Sequence, residues 1–244
     1  FIMRFNHLHA PFDNPKVRKA AMLAMGQQAY IATQVGVPEL GRMCRSIYPC
    51  GTPYADENTG DFTGKPNVAK AKALLAEAGY KGQPIVLMRP TDLASIAKIP
   101  LVAKQQLEAV GFKVDFQQMD WASLVARRSK KDLPSAGGWN LFLTAWTAGD
   151  ISSPLTMAML NAKGDKGWFG WQNEPRIEKL KADFARADGL AAKKKIASEI
   201  QAIAFETSTH APLGQYQSPS AIRDNVDGVL QTPGIPVMWN ITKK

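Results

Sequence analysis

Apolar residues recur along this chain at two spacings, and each spacing predicts an element. FIMRFN alternates and reads as a strand over residues 1–6. A loop with Pro11 follows, and NPKVRKAAMLAM then starts a helix. Val17, Ala20, Ala21 and Ala24 share one face, Asn14 can cap it, and Pro15 suits the first helical position. A shorter helix is predicted over 28–34. Two similar units come later. In PNVAKAKALLAEAGYKGQPIVLM, a helix with Val68, Ala71, Leu74, Leu75 and Ala78 inward stops at Gly79, an aromatic follows, and a strand runs around 85–88. In IPLVAKQQLEAVGFKVDFQQMD the plan repeats, with Leu107 and Val110 inward, a stop at Gly111, then Phe112 and a strand over 113–117; Pro100 marks a kink or the true helix start. Helix, glycine, aromatic and strand, twice over, predict an α/β lobe.

Asp120 can cap a third helix, WASLVARRSKK. WNLFLTAW is a near-continuous apolar run, as expected of a strand buried on both faces. The turn TAGDISSP lies beyond its carboxyl end, where open α/β sheets place their ligands. After the loop GDKGWFGWQN, two amphipathic helices are predicted over 174–187 and 191–206, with Ile177, Leu180 and Phe184 inward on the first and Ile196, Ile200 and Phe205 inward on the second. APLGQY reads as a returning strand. The segment 36–64 reads as a long ordered loop. Residues 218–244, with Pro219, Asn225, Gly228, Pro233 and Gly234, look detached from the lobe before them.

Composition changes this picture little. The 244 residues are 45% hydrophobic and 21% charged, suited to one large domain or two small ones with a sizeable core. No apolar run is long enough to span a membrane. The net charge of +9 raises nucleic acid as a partner. The cations, however, are scattered over Lys16, Arg18 and Lys19, Lys70 and Lys72, and Lys193 to Lys195, with no stripe of base-stacking aromatics; a solvated basic surface is the better reading. Cys44 and Cys50 have the wrong spacing for a redox or zinc pair. They are read as a structural disulfide in an oxidising compartment, with two free thiols as the other possibility.

Enzyme signatures are absent: the chain has no G-x-S-x-G, no Walker A sequence and no G-x-G-x-x-G. The three histidines, His7, His9 and His210, are too poorly supported for a catalytic or metal site: His7 and His9, two apart, would share a strand face and could bind a metal, but without a third ligand they read as surface histidines. Glu174 and Glu178 read as a solvated helix face. No catalytic residue, metal or cofactor is predicted. Binding is better supported. Asp150 either caps a short helix starting near Ser152 or makes an ionic contact to a ligand cation, with Trp146 packed beside it. Trp121 and Arg128 are seven apart on one helix face; Arg128 either receives a carboxylate bidentately or is simply solvated. Trp168 and Trp171 stack on a ligand ring or plug the core.

Several of these segments, in this order, form a recognisable set. NHLHAPFDNPKVRKAAMLAM resembles the "PF-D-N-x-x-VR-x-A" segment of ABC-importer solute-binding proteins of the dipeptide- and oligopeptide-binding family, family 5. NVAKAKALLAEAGY resembles that family's "AK-x-LL-x-E-A-G" helix, and residues 119–154 resemble its Trp-bearing helix, buried strand and W-(x)-D-x-x-x-P turn. PLGQYQSPSAIRDNVDGV resembles the crossing back into the first lobe. The resemblance implies a periplasmic-binding-protein-like (type II) α/β fold: residues 1–9 as a hinge or crossover strand, 10–212 as the second ligand-binding lobe, and 213–244 as a return crossover plus a segment completing a largely absent first lobe. It also implies a periplasmic receptor that delivers a solute, foremost a peptide, to an inner-membrane ABC permease. A sensor of the same fold, or one for an opine, a nickel complex or a sugar, remains the alternative. In peptide-binding members the turn's Asp holds the peptide's α-amino group. Here the Asp150-to-Pro154 spacing is kept and one extra residue separates Trp146 from Asp150. Trp121, Arg128 and Trp146 match positions lining side-chain or carboxylate pockets. A lobe with an exposed inner face could also form homodimers.

Overall fold

The computed structural model describes residues 1–232, 234 and 237–244; Pro233, one of the tail's turn-formers, lies outside the described residues. Strand β1 (Ile2–Phe5) leads into helix α1 (Pro15–Ala24), whose N-cap Asn14 accepts a hydrogen bond from the Lys16 backbone N–H. Helix α2 (Gln27–Tyr30) continues as a π-helical turn, Ile31–Val35, that ends at Gly36 in the left-handed region; the single helix predicted over 28–34 is thus two pieces. The predicted loop 36–64 contains a 3₁₀ turn, Pro38–Leu40, and a short strand, β2 (Gly41–Arg42). The first repeat unit gives α3 (Val68–Glu77) and β3 (Pro84–Pro90). The second gives α4 (Ile99–Ala109) and β4 (Lys113–Met119). Pro100 occupies the first turn of α4, so it marks a start and not a kink.

Next come α5 (Trp121–Arg128), β5 (Leu141–Thr144), α6 (Pro175–Arg186) and α7 (Gly189–Thr207). The returning strand is split. β6 (His210–Pro212) joins the main sheet, while β7 (Gln215–Tyr216) pairs with β2; Gly214 turns the chain between them at φ 110°, a backbone conformation that suits glycine. In the tail, β8 (Val226–Asp227) and β9 (Thr242–Lys243) form a hairpin, and Met238 and Trp239 are about three-quarters exposed (74% and 75%).

The main sheet has the order β4-β3-β5-β1-β6. β3 is parallel to β4 and β5, whereas β1 is antiparallel to both of its neighbours. Only β1 runs against the others, so β3, β4, β5 and β6 all end at the edge where β1 begins. Period-two alternation divides the sheet between two cores. Ile85 and Leu87 of β3 and Leu141 and Leu143 of β5 join the larger core, with residues of α1, α3, α4 and α7. Val86, Met88 and Phe142 face the opposite way and pack with Leu124 of α5, Trp139 and Trp171. Both faces are covered, which is why WNLFLTAW reads as continuously apolar.

Three surface readings are corrected. Val68 is not inward: it sits in the first turn of α3 and is exposed. Arg18 is not part of a solvated basic face. It is buried, donating to the carbonyls of Thr207, Phe12 and Asp13, and so ties the start of α1 to the end of α7. Glu174 and Glu178 are both placed by structure. Glu174 caps α6 and pairs with Arg176, and Glu178 accepts from the Ala162 backbone N–H and pairs with Lys181.

Cys44 and Cys50 are joined by a disulfide, S–S 2.06 Å, within a loop that other contacts fix in place. Gln27 donates to the carbonyls of Cys44 and Pro212 and accepts from the Cys44 N–H. Gln201 accepts from Ser46 and the Ile47 N–H. For so short a closed loop, the chain-entropy relation gives a contribution of about 2 kcal/mol. The Cys44→Ala/Cys50→Ala pair is therefore expected to unfold about 2 kcal/mol more easily in urea. A loss above about 4 kcal/mol would mean that the bridge holds more than its own loop.

Candidate ligand-binding site

Trp121 opens α5 beyond the carboxyl end of β4, and Trp146 and Asp150 follow the carboxyl end of β5; Arg128 closes α5, where the Trp139 indole N–H donates to its carbonyl. β4 runs directly into α5, and Asp120 makes the junction: its carboxylate accepts from the Ser123 N–H at 2.9 Å and the Ser123 hydroxyl at 2.6 Å. Those bonds hold the Asp120 carboxyl below its usual range. Asp92, just beyond β3, accepts from the Trp121 N–H at 2.7 Å, so the strand-end loops fix where α5 begins.

One helical face then carries Trp121 and Arg128, as the spacing predicts. The Arg128 guanidinium carbon lies 5.7 Å from the Trp121 ring centroid, 5.9 Å from Phe142 and 4.8 Å from Phe169. It is therefore not a merely solvated arginine. Burial lowers its pKa, its Nε is enclosed without a hydrogen-bond acceptor, and no carboxylate pairs with it among the described residues. Cation–π contact offsets part of its desolvation. A ligand carboxylate would offset more.

The aromatic row continues from there. Phe142 packs edge-on against Trp168 at 5.8 Å, and Trp168 against Trp146 at 5.7 Å. Trp168 and Trp171 are both structural: Trp171 is buried in the smaller core, and Trp168 links Trp146 to it. Phe142 and Phe169 were not singled out in the sequence. Nothing local marks Phe142 as a partner of Arg128, and Phe169 arrives from a loop about 40 residues downstream of the helix.

Asp150 sits in the turn beyond β5 and is exposed. It caps no helix, since residues 148–156 form turns. Its Oδ2 accepts from the Thr147 hydroxyl at 2.7 Å, the same hydroxyl that accepts from the Asp150 N–H at 3.3 Å. No cation pairs with it among the described residues. Trp146 is half-buried, and its indole N–H is enclosed without an acceptor. Its neighbours on the turn, Ala148 and Ile151, line a cavity of about 90 Å³ together with Trp146 and the disulfide loop.

The three histidines lie elsewhere and are not a surface set. β1 ends at Phe5, so His7 and His9 share no strand face; the buried His210 lies on β6. Among the described residues, no group of three or more His, Cys, Asp or Glu is placed to hold a metal, and no helix is long and apolar enough to cross a membrane. Among the described residues the Asp150 carboxylate and the Arg128 guanidinium have no ionic partner, and an aromatic row runs from Trp121 past Arg128 to Phe142, Trp168 and Trp146. That arrangement suits holding a ligand better than transferring its protons.

The mixed sheet flanked by helices is an α/β fold of the type II periplasmic-binding-protein kind. The family described as bacterial extracellular solute-binding proteins, family 5, matches residues 1–168. The chain is 33% identical over 244 residues to the probable peptide ABC transporter periplasmic-binding protein y4tO of Sinorhizobium fredii, covering 99% of this chain and 45% of that protein. It is 27% identical to di/tripeptide-binding protein 2 of Pseudomonas aeruginosa, covering 93% and 42%. Among solved structures, AgaA from A. tumefaciens R10 in complex with agropinic acid superposes with a TM-score of 0.78 at 23% identity, covering all of this chain and 50% of that one. A dipeptide-binding protein from Pseudoalteromonas sp. SM9913 in complex with Met-Leu gives 0.75 at 20% identity, covering 100% and 48%. The chain belongs to the family 5 bacterial extracellular solute-binding proteins. It spans about half the length of the relatives it matches.

Proposed function

We propose that this chain supplies the second lobe of a periplasmic solute receptor for an ABC importer, and that the solute is a peptide. On this reading residues 1–9 and 213–244 are the crossings to a first lobe, and the ligand is enclosed between the two. The observation that carries it is two side-chain charges of opposite sign left without ionic partners among the described residues. Asp150 offers an acceptor for an α-ammonium and Arg128 a donor for a carboxylate, each without a protein partner among the described residues and with Trp146 and Trp121 beside them. A charge-assisted bond of this kind is stronger than a neutral one, and enclosure strengthens it at some cost in desolvation. The names of two curated relatives, which refer to peptides, support the same class.

Asp150→Ala in the complete protein is expected to weaken peptide binding by more than tenfold in calorimetric titration. An unchanged affinity would remove Asp150 from the site. The fold neighbour holding agropinic acid favours a second reading, a non-peptide solute held by the same two charges. Native mass spectrometry of gently purified protein separates the two: a ladder of peptide masses supports the first reading, a single non-peptide mass the second.

A further inference from the structure

The loop over residues 168–171 is seated on β1 more closely than a plain connection requires. Arg4 Nε donates to the Phe169 carbonyl at 2.6 Å, and the His7 N–H donates to the Gly170 carbonyl at 2.9 Å. Gly170 has φ 99°, and a Cβ there would lie 2.3 Å from the Phe5 carbonyl oxygen, so glycine is what lets the loop approach. Trp171 is a non-glycine residue at φ 47°, its ring buried 5.9 Å from that of Trp139. Backbone strain of this kind persists only where the surroundings over-determine it. What the anchored backbone presents is the Phe169 ring. It is half-buried and lies 4.8 Å from the Arg128 guanidinium carbon, nearer than Trp121 or Phe142.

We propose that Phe169 is a positioning residue, holding the Arg128 guanidinium in the orientation that receives the ligand's carboxylate. The inference rests on the peptide reading given above, in which Arg128 meets that carboxylate. An arginine fixed by protein carboxylates or carbonyls has its donors occupied. One fixed by ring contacts keeps its fork for a ligand. Among the described residues Arg128 has three such rings and no acceptor at Nε. Fixing the side chain before the ligand arrives also removes part of the ordering cost of binding. Of the three rings, Trp121 shares the Arg128 helix and Phe142 is fully buried in the sheet. Phe169 closes the set from the loop, and its place is given by β1 through Arg4 and not by α5.

The test is calorimetric titration of the complete protein with alanine peptides of two to five residues, each as the free acid and as the C-terminal amide. The parent protein is expected to bind the acid about tenfold more tightly than the amide. Phe169→Ala should weaken the acid about fivefold and leave the amide unchanged. Phe169→Leu, which removes the aromatic face and keeps most of the volume, should do the same, and it gives the result if the alanine variant does not fold. Phe169→Tyr, which keeps the ring, should match the parent. Arg128→Met should abolish the preference for the acid, and Phe169→Ala added to it should change nothing further. An equal loss for acid and amide, a full further loss on top of Arg128→Met, or no change in any Phe169 variant overturns the positioning role and leaves the peptide reading standing. Equal binding of acid and amide by the parent overturns both the positioning role and the Arg128 contact. Binding of none of the peptides overturns the peptide reading and the role with it.

Discussion

Arg4→Ala is expected to destabilise the fold by about 3–5 kcal/mol, read as a lower urea midpoint at unchanged slope. Arg4 lies in the middle of β1 and is fully buried. Its guanidinium donates to the carbonyls of Phe169, Met159 and Thr209 and to the Gln172 side chain, and it lies 5.2 Å from the Trp168 ring. No carboxylate pairs with it among the described residues, and burial, with Arg18 adding a smaller effect, lowers its pKa to about 9. Two effects therefore compete. Removing an uncompensated buried charge relieves desolvation. It also takes a donor from the Phe169 and Thr209 carbonyls and the Gln172 side-chain oxygen, each costing about 1–3 kcal/mol if stranded, and leaves a cavity; the Met159 carbonyl keeps its bond from Gln172. The second effect is larger because the acceptors converge from three separate segments, around residues 159, 169–172 and 209, that only a planar fork reaches together. Arg4→Met, which keeps most of the volume, should lose less than Arg4→Ala. A loss below about 1 kcal/mol for the alanine variant would show that the arginine is a tolerated burden and not a strut.

Stability should also fall by about 2 kcal/mol or more between pH 7 and pH 5. His210, the cross-strand partner of Arg4, is fully buried; its pKa is lowered to about 3, first by desolvation and then by the Arg4 charge. Its Nδ1 shares a 2.8 Å hydrogen bond with the Thr209 hydroxyl, and its Nε2 is enclosed without a partner. In the unfolded chain the imidazole takes up a proton near pH 6.5, whereas in the fold it stays neutral until about pH 3. The unfolded state thus binds more protons across that window, and stability is lost as the pH falls from about 6.5 towards 3. His7 acts in the same direction, its pKa lowered by burial, then by Arg18 and Arg4. The carboxylates with lowered pKa, such as Asp61 and Glu174, contribute their own loss only nearer pH 4. The interval from pH 7 to 5 therefore separates the histidines from these carboxylates. Urea titrations should show a midpoint that drops across it and drops less in His210→Gln. A flat profile in the parent protein would mean that these imidazoles reach solvent.

Local signals carried most of the architecture into the sequence. The Asn14 and Asp120 caps, the repeated glycine stops and the period-3.6 faces of α1 and α4 act over a few residues, so they can be read without knowing the fold. The same holds for Trp121 beside Arg128, which helix geometry alone brings together. What stayed hidden is non-local. Arg4 sits in an alternating strand, and nothing near it signals that carbonyls from residues 159, 169 and 209 will close over its side chain. Arg18 looks like one cation among several on a helix until the end of α7 is seen to lie against it. The split of the returning strand depends on β2, a partner about 170 residues earlier that is only two residues long. At the site, the aromatic row from Trp121 to Trp146 is complete only when Trp168 and Phe169 arrive from their loop.

The position of β1 has a kinetic consequence. Met3 pairs with Leu143 on one side and Ala211 on the other, so β1 is closed on both edges by strands far along the chain from it. Until β6 is in place, β1 has unpaired backbone along one edge and Arg4 lacks the Thr209 carbonyl. Such high contact order slows folding because loop-closure entropy must be met before the long-range contacts can reward it. That delay leaves β1 an open edge for as long as β6 is unpaired, a state in which another strand could take β6's place.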